Sequence, residues 1–232
     1  AGADGAVYVT EIGEFDKDGD GRVLRVTDDG KAEPFATGLD DPKGIDARGE
    51  VLVVADKTRV LRIGAKGSVR VLAEAGDFPQ TPKFLNDVEI ARNGAIYVSD
   101  SGKLDGGGGA IFRISPKGEV TTVLSVDDDP RLQSPNGLLM AGRKAMLVVD
   151  LSSGALYRLN LAIPALKKLN RGFGGGDGLA RDDRGRVYVS DWANGRVYWM
   201  KKAKGEPRLL ADDLKAAADI AIGPQDHLLV PD

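Results

Sequence analysis

Tyr188-Val189-Ser190-Asp191, a β-branched and aromatic run closed by an acid, decides how the whole chain is read. It returns as Val7-Tyr8-Val9-Thr10-Glu11, Val53-Val54-Ala55-Asp56, Tyr97-Val98-Ser99-Asp100, Val148-Val149-Asp150 and Leu229-Val230-Pro231-Asp232. The closing acids fall at 11, 56, 100, 150, 191 and 232, at intervals of 45, 44, 50, 41 and 41 residues. A period in the forties holding only strand-like segments belongs to propeller blades, not to a helical solenoid. Turn pairs such as Asn93-Gly94, Lys117-Gly118 and Asn194-Gly195 separate the segments, each supplying a residue that tolerates positive φ.

The clearest unit places an inner strand at Gly178 to Arg181, a second at Arg186 to Asp191, a third at Arg196 to Met200 and an outer one at Pro207 to Leu210. Six copies of that unit predict an all-β, six-bladed β-propeller of four-stranded blades, with residues 1–232 as one domain. The first and last blades are expected to be incomplete, because six residues precede Val7 and none follow Asp232. Open blade edges predict self-association. Residues 213–218 carry weak helical periodicity and read as a loop.

Composition removes many chemistries. Of 232 residues none is cysteine, which excludes thiol nucleophiles, disulfides and thiolate-held metals. The single histidine, His227, excludes a His-paired zinc or iron centre within one chain. Any metal is then expected on oxygen ligands: a divalent cation, calcium first, with zinc, magnesium or manganese as alternatives. Thirty-two Lys plus Arg against 35 Asp plus Glu argues against nucleic acid as a partner. No apolar run approaches the roughly 20 residues needed to cross a bilayer, so no membrane is expected. The chain reads as soluble, and as periplasmic or secreted if a leader has been removed.

Chemistry is sought where the copies differ. The repeated acids Asp56, Asp100, Asp150, Asp191 and Asp232 read as turn caps, because an active site needs one of each group, not five. Fourteen residues before each acid lies the entrance of an inner strand, facing the channel: Asn86, Asn136, Asp177 and Ala218, with Pro42 or Lys43 in the second blade. Three of these carry oxygens at one height around the axis, the pattern of a cation site that water or substrate completes. The next positions hold Asp87, Gly137, Gly178 and Asp219, so Asp87 and Asp219 are expected behind the ligands or at a second metal.

Phe84-Leu85-Asn86-Asp87-Val88, Ser134-Pro135-Asn136-Gly137-Leu138 and Gly176-Asp177-Gly178-Leu179-Ala180 resemble the senescence-marker-protein/gluconolactonase/luciferin-regenerating-enzyme-like propellers, and through them the related paraoxonases. The resemblance implies a central calcium or zinc ion that activates lactone or ester hydrolysis. It implies Asn136 and Asp177 as metal ligands, and Asn86 as a ligand or a substrate contact. The blade-one Glu of those proteins has no counterpart here, its place lying upstream of Ala1. Where gluconolactonases carry Arg two residues before the blade-three Asn, this chain has Phe84, and the paraoxonase His pair is missing.

The expected function is metal-dependent hydrolysis of a small-molecule lactone or ester. Asp177, Asp87 and Lys43 are the catalytic candidates, and Asn86, Asn136, Asp177 and Asp219 the metal candidates, with proton transfer by a carboxylate and charge stabilisation by Lys43. Two alternatives stand beside it: a non-catalytic binding propeller similar to NHL-repeat proteins, and an inactive ring or fragment lacking the blade-one ligand. A second metal is suggested by Asp16-Lys17-Asp18-Gly19-Asp20-Gly21-Arg22, which spaces acids as a calcium loop does. Thr27 stands at its twelfth position, so a closing carboxylate has to come from Asp28 or Glu14. Gly106 to Gly109 reads as a long loop between the second and third strands of the third blade, placed where a lid would be.

Overall fold

The computed structural model describes residues 5–27, 29–103 and 107–232. Four consecutive sheets each run inner strand, second, third and outer strand in chain order, every neighbour antiparallel. Their inner strands are Pro42–Arg48, Leu85–Ile90, Pro135–Met140 and Gly176–Arg181, and their second strands are Val51–Asp56, Ile96–Asp100, Ala145–Asp150 and Val187–Asp191. Ahead of them stands a three-stranded sheet of Val7–Glu11, Gly21–Val26 and Ala32–Leu39. The clearest repeat places its strands within a residue or two of the sequence reading. Its inner strand starts at Gly176 because Gly176 pairs with Asp191 before the ladder is interrupted.

The molecule is an all-β propeller, but it has five blades, not the six expected. The last repeat forms only a two-stranded pair, Ala221–Ile222 with Leu228–Leu229. Pro224 ends the first of these strands, positive φ at Gln225 and Asp226 turns the chain, and Pro231, which has no N–H, stops the second. Among the described residues the first sheet has three strands and no inner one, as expected.

The core lies between the sheets, not within any one of them. Val53, Ala55 and Val60 of the second sheet bury against Val88, Val98 and Phe112 of the third, and comparable clusters join each consecutive pair of sheets. Strands whose two faces both meet a neighbouring blade explain why the second strands read as continuous apolar runs. Among the described residues no buried cluster spans the last pair and the first sheet.

Each repeated acid does fasten a turn. Asp100 accepts backbone N–H groups from Lys83, Phe84 and Gly102 at 3.0, 2.8 and 3.0 Å. Asp150 takes Ser134 and Ser153, and Asp191 takes Gly175 and Asn194 in the same way. Asp56 accepts Asp40 N–H and pairs with Arg59. Asp232 accepts Ala216 N–H at 3.0 Å. In all of them the carboxylate ties the end of the second strand to the approach of the inner one.

Candidate functional site

Every inner strand of the four complete sheets slips register at the same place. Pairing lapses between Pro42 and Ile45, Leu85 and Val88, Pro135 and Leu138, and Gly176 and Leu179. The two residues that fall in each lapse are Lys43-Gly44, Asn86-Asp87, Asn136-Gly137 and Asp177-Gly178. A bulge frees side chains from the alternation of the pleat and re-aims them, and here four bulges at one height aim at one channel. In the second blade Lys43 falls in the bulge, and both Pro42 and Lys43 line the channel.

The second bulge position is glycine in three sheets because the next blade comes too close for a Cβ. On Gly137 it would meet Asp177 O at 2.3 Å, and on Gly44 the Cα of Asp87 at 2.5 Å. The channel that results is a cavity of about 1060 Å³, lined by Lys43, Asn86, Asp87, Asn136, Asp177 and Asp219 among others.

Asn136 is 2% exposed. Its amide lies beside the Asp177 carboxylate and is the one neighbour that eases that acid's burial. Desolvation first and the nearby Asp219 second push Asp177 up to about 8. Asn86 donates its amide N–H to Ser101 Oγ at 3.1 Å, and Ser101 Oγ in turn donates to Pro135 O at 2.9 Å. That chain fixes the amide's orientation and leaves its carbonyl oxygen as the acceptor side.

Asp219 accepts Ile220 N–H on one oxygen at 2.9 Å, and burial, with Asp46 nearby, raises it to about 7. Asp87 differs. One of its oxygens accepts Val88 N–H and the other Leu138 N–H of the next blade, both at 2.7 Å. Burial raises it well above the carboxylate range. It clasps two inner strands, each oxygen holding one backbone N–H.

Lys43 donates to Asp41 O at 3.2 Å and stands 4.3 Å from the Phe84 ring centre and 5.9 Å from that of Phe15. Loss of water lowers its pKa.

Acids of this channel that escaped the sequence reading include Asp46 and Glu89. Asp46 accepts Ala47 N–H and, across the blade boundary, Ile90 N–H, both at 2.7 Å. Glu89 accepts Met140 N–H of the next blade at 2.7 Å and is pushed up to about 7 by burial and by Asp46. Both stand three residues after a channel residue, and that shared offset was the available signal.

The acids of the expected calcium loop go to separate partners. Asp18 pairs with Lys57 at 2.7 Å, Asp20 accepts Glu14 N–H at 3.2 Å, and Arg22 grips Glu11. Asp16 takes positive φ and donates its N–H to Asp41. Asp28 and Gly106 lie outside the described residues. Among the described residues no three acidic or histidine side chains are grouped to hold an ion.

The profile of the SMP-30/Gluconolactonase/LRE-like region matches residues 43–211, which includes all four bulges. The chain belongs to this family. No curated protein matches the SMP-30/gluconolactonase-like chain closely enough to count as a relative. Among solved structures, a catalytically inactive virginiamycin B lyase from Staphylococcus aureus with quinupristin is similar at 15% identity and a TM-score of 0.64, covering 90% of this chain and 70% of its own. A chain of a nidogen/laminin complex is similar at 22% identity and a TM-score of 0.74, covering 94% of this chain and 80% of its own. At such identities the likeness is one of fold.

Proposed function

We propose that this propeller is a metal-dependent hydrolase of lactones or related esters, working in its central channel. The observation that carries the reading is the set of bulges that brings Asn86, Asn136 and Asp177 to one cavity, with Asp177 half-buried beside another acid and eased only by an amide. The donor set fits a divalent cation, calcium first. Two amide oxygens and a carboxylate are hard ligands, and a half-buried acid without a cationic partner is stabilised by an ion. When bound, the ion would polarise the ester carbonyl and make water a better nucleophile.

The remaining steps fall to the chain itself. Asn86, Asn136 and Asp177 hold and orient. Asp219, with an ordinary pKa raised to about 7 and one oxygen not taken by Ile220, accepts the proton of the attacking water. Water's oxygen bonds to the acyl carbon as the C=O electron pair moves onto the carbonyl oxygen; that pair returns as the ring carbon–oxygen bond breaks, and the same proton passes to the leaving alkoxide to give a hydroxy acid. The Lys43 ammonium stabilises the negative charge that builds on the carbonyl oxygen.

The test is hydrolysis of a lactone panel followed by acid release. Turnover should appear with calcium, disappear with chelator, and fall about 100-fold or more in Asp177→Asn. Turnover that persists after exhaustive chelation would overturn the mechanism.

A second reading, a non-catalytic binding propeller, is favoured by one observation: Asp46, Asp87 and Glu89 are engaged with backbone N–H groups as inter-blade clasps. It takes over if a calcium-loaded sample hydrolyses nothing in the panel.

A further inference from the structure

We infer that the substrate is a lactone carrying an apolar substituent rather than a polyhydroxylated sugar lactone, an inference that rests on the hydrolase reading. The channel mouth is built by one backbone bond repeated around the ring. The residue after each repeated acid donates its N–H to a carbonyl just ahead of the inner strand. The bonds are Lys57 to Asp41 at 3.2 Å, Ser101 to Phe84 at 2.9 Å, Leu151 to Ser134 and Trp192 to Gly175, both at 2.8 Å. Side chains at these stations therefore stand at one level above the metal candidates, and three of the four following residues, Lys57, Leu151 and Trp192, line the cavity with Phe84.

Their chemistry divides. Lys57 is already paired with Asp18 at 2.7 Å. Phe84, Leu151 and Trp192 present hydrocarbon, and Phe15 joins them from the first sheet's loop. Among the described residues the two exposed aromatic side chains are Phe15, 62% exposed, and Trp192, 50% exposed, and both line this cavity. Neither contributes to a core cluster. Large apolar surface left in water around a polar pocket marks where a ligand's own apolar surface goes. Lys43 stands beside the Phe84 and Phe15 rings, but against Leu151 and Trp192 a sugar lactone's hydroxyl groups would lose a water partner without gaining another. An alkyl or aromatic substituent gains up to roughly fourfold in affinity for each methylene it moves from water onto them.

The test compares γ-lactones bearing methyl through hexyl substituents with glucono-δ-lactone, using the calcium-loaded chain. We expect kcat/KM to rise at least about tenfold from methyl to hexyl and the sugar lactone to fall below the hexyl compound. In Phe15→Ala and Trp192→Ala the hexyl-to-methyl ratio should drop about fivefold; both side chains are exposed, so folding is not at stake.

A sugar lactone turned over as fast as the hexyl lactone, or a ratio unchanged in both variants, would overturn the inference while leaving the hydrolase reading in place. If no lactone is hydrolysed, that reading fails and binding decides. A hexyl γ-lactam that quenches Trp192 more tightly than its methyl analogue, and loses that advantage in Phe15→Ala, keeps the inference. Equal binding of the two lactams, or none, sinks it.

Discussion

Asp177, Asp219 and Glu89 are raised to about 8, 7 and 7, chiefly by desolvation, and that has a consequence for stability as well as for chemistry. Between the ordinary carboxylate range near 4 and these values, the folded chain holds protons that the unfolded chain has released. Stability must therefore fall as pH rises through that window. In chelator, the melting temperature should drop by about 5 °C or more from pH 5 to pH 8.5, read by calorimetry. A flat or rising profile would mean these acids are better solvated than their surroundings indicate. Asn86, Asn136 and Asp177 were legible in the sequence because counting from a repeated acid needs only one blade. Asp46 and Glu89 were not, because their oxygens answer N–H groups of Ile90 and Met140 in the next blade, and no single repeat contains both partners.

At the level of the strand, the bulge and the fastening acid work together. Asp100 pins Lys83 and Phe84 just before the inner strand leaves its ladder, so the acid sets where Asn86 enters the channel. Replacing Asp100 by Ala strands three backbone N–H groups that now meet a carboxylate. It should destabilise the fold by about 3 kcal/mol in urea unfolding with an unchanged m-value. Asp100→Asn, which keeps one acceptor, should fall between. A loss near zero would mean that water replaces the carboxylate freely. The one second strand bounded in the sequence, Arg186 to Asp191, misses the observed Val187–Asp191 by only a residue, since every residue of it is buried. Inner strands were read two residues short at Gly176, because a register lapse leaves no mark in hydrophobic alternation.

For the molecule as a whole, the repeat period gave the architecture but overstated the blade count. Periodicity records where a unit lies, whereas Pro224, Pro231 and the turn at Gln225 and Asp226 decide how much of it pairs. A channel that gathers acids from every side should respond to a cation as one body. Calcium at about 100 times its Kd should add about 2.7 kcal/mol of stability, seen as a rise in melting temperature that Asn136→Ala removes. No rise with calcium, zinc, magnesium or manganese would leave the channel without an ion.

The shared backbone bond at the mouth also makes positions 57, 151 and 192 interchangeable sockets on one frame, whereas Ser101 is committed to the Asn86 amide. A combinatorial library confined to those three codons could swap one preference for another while the fastening acids and inter-blade clasps beneath stay untouched.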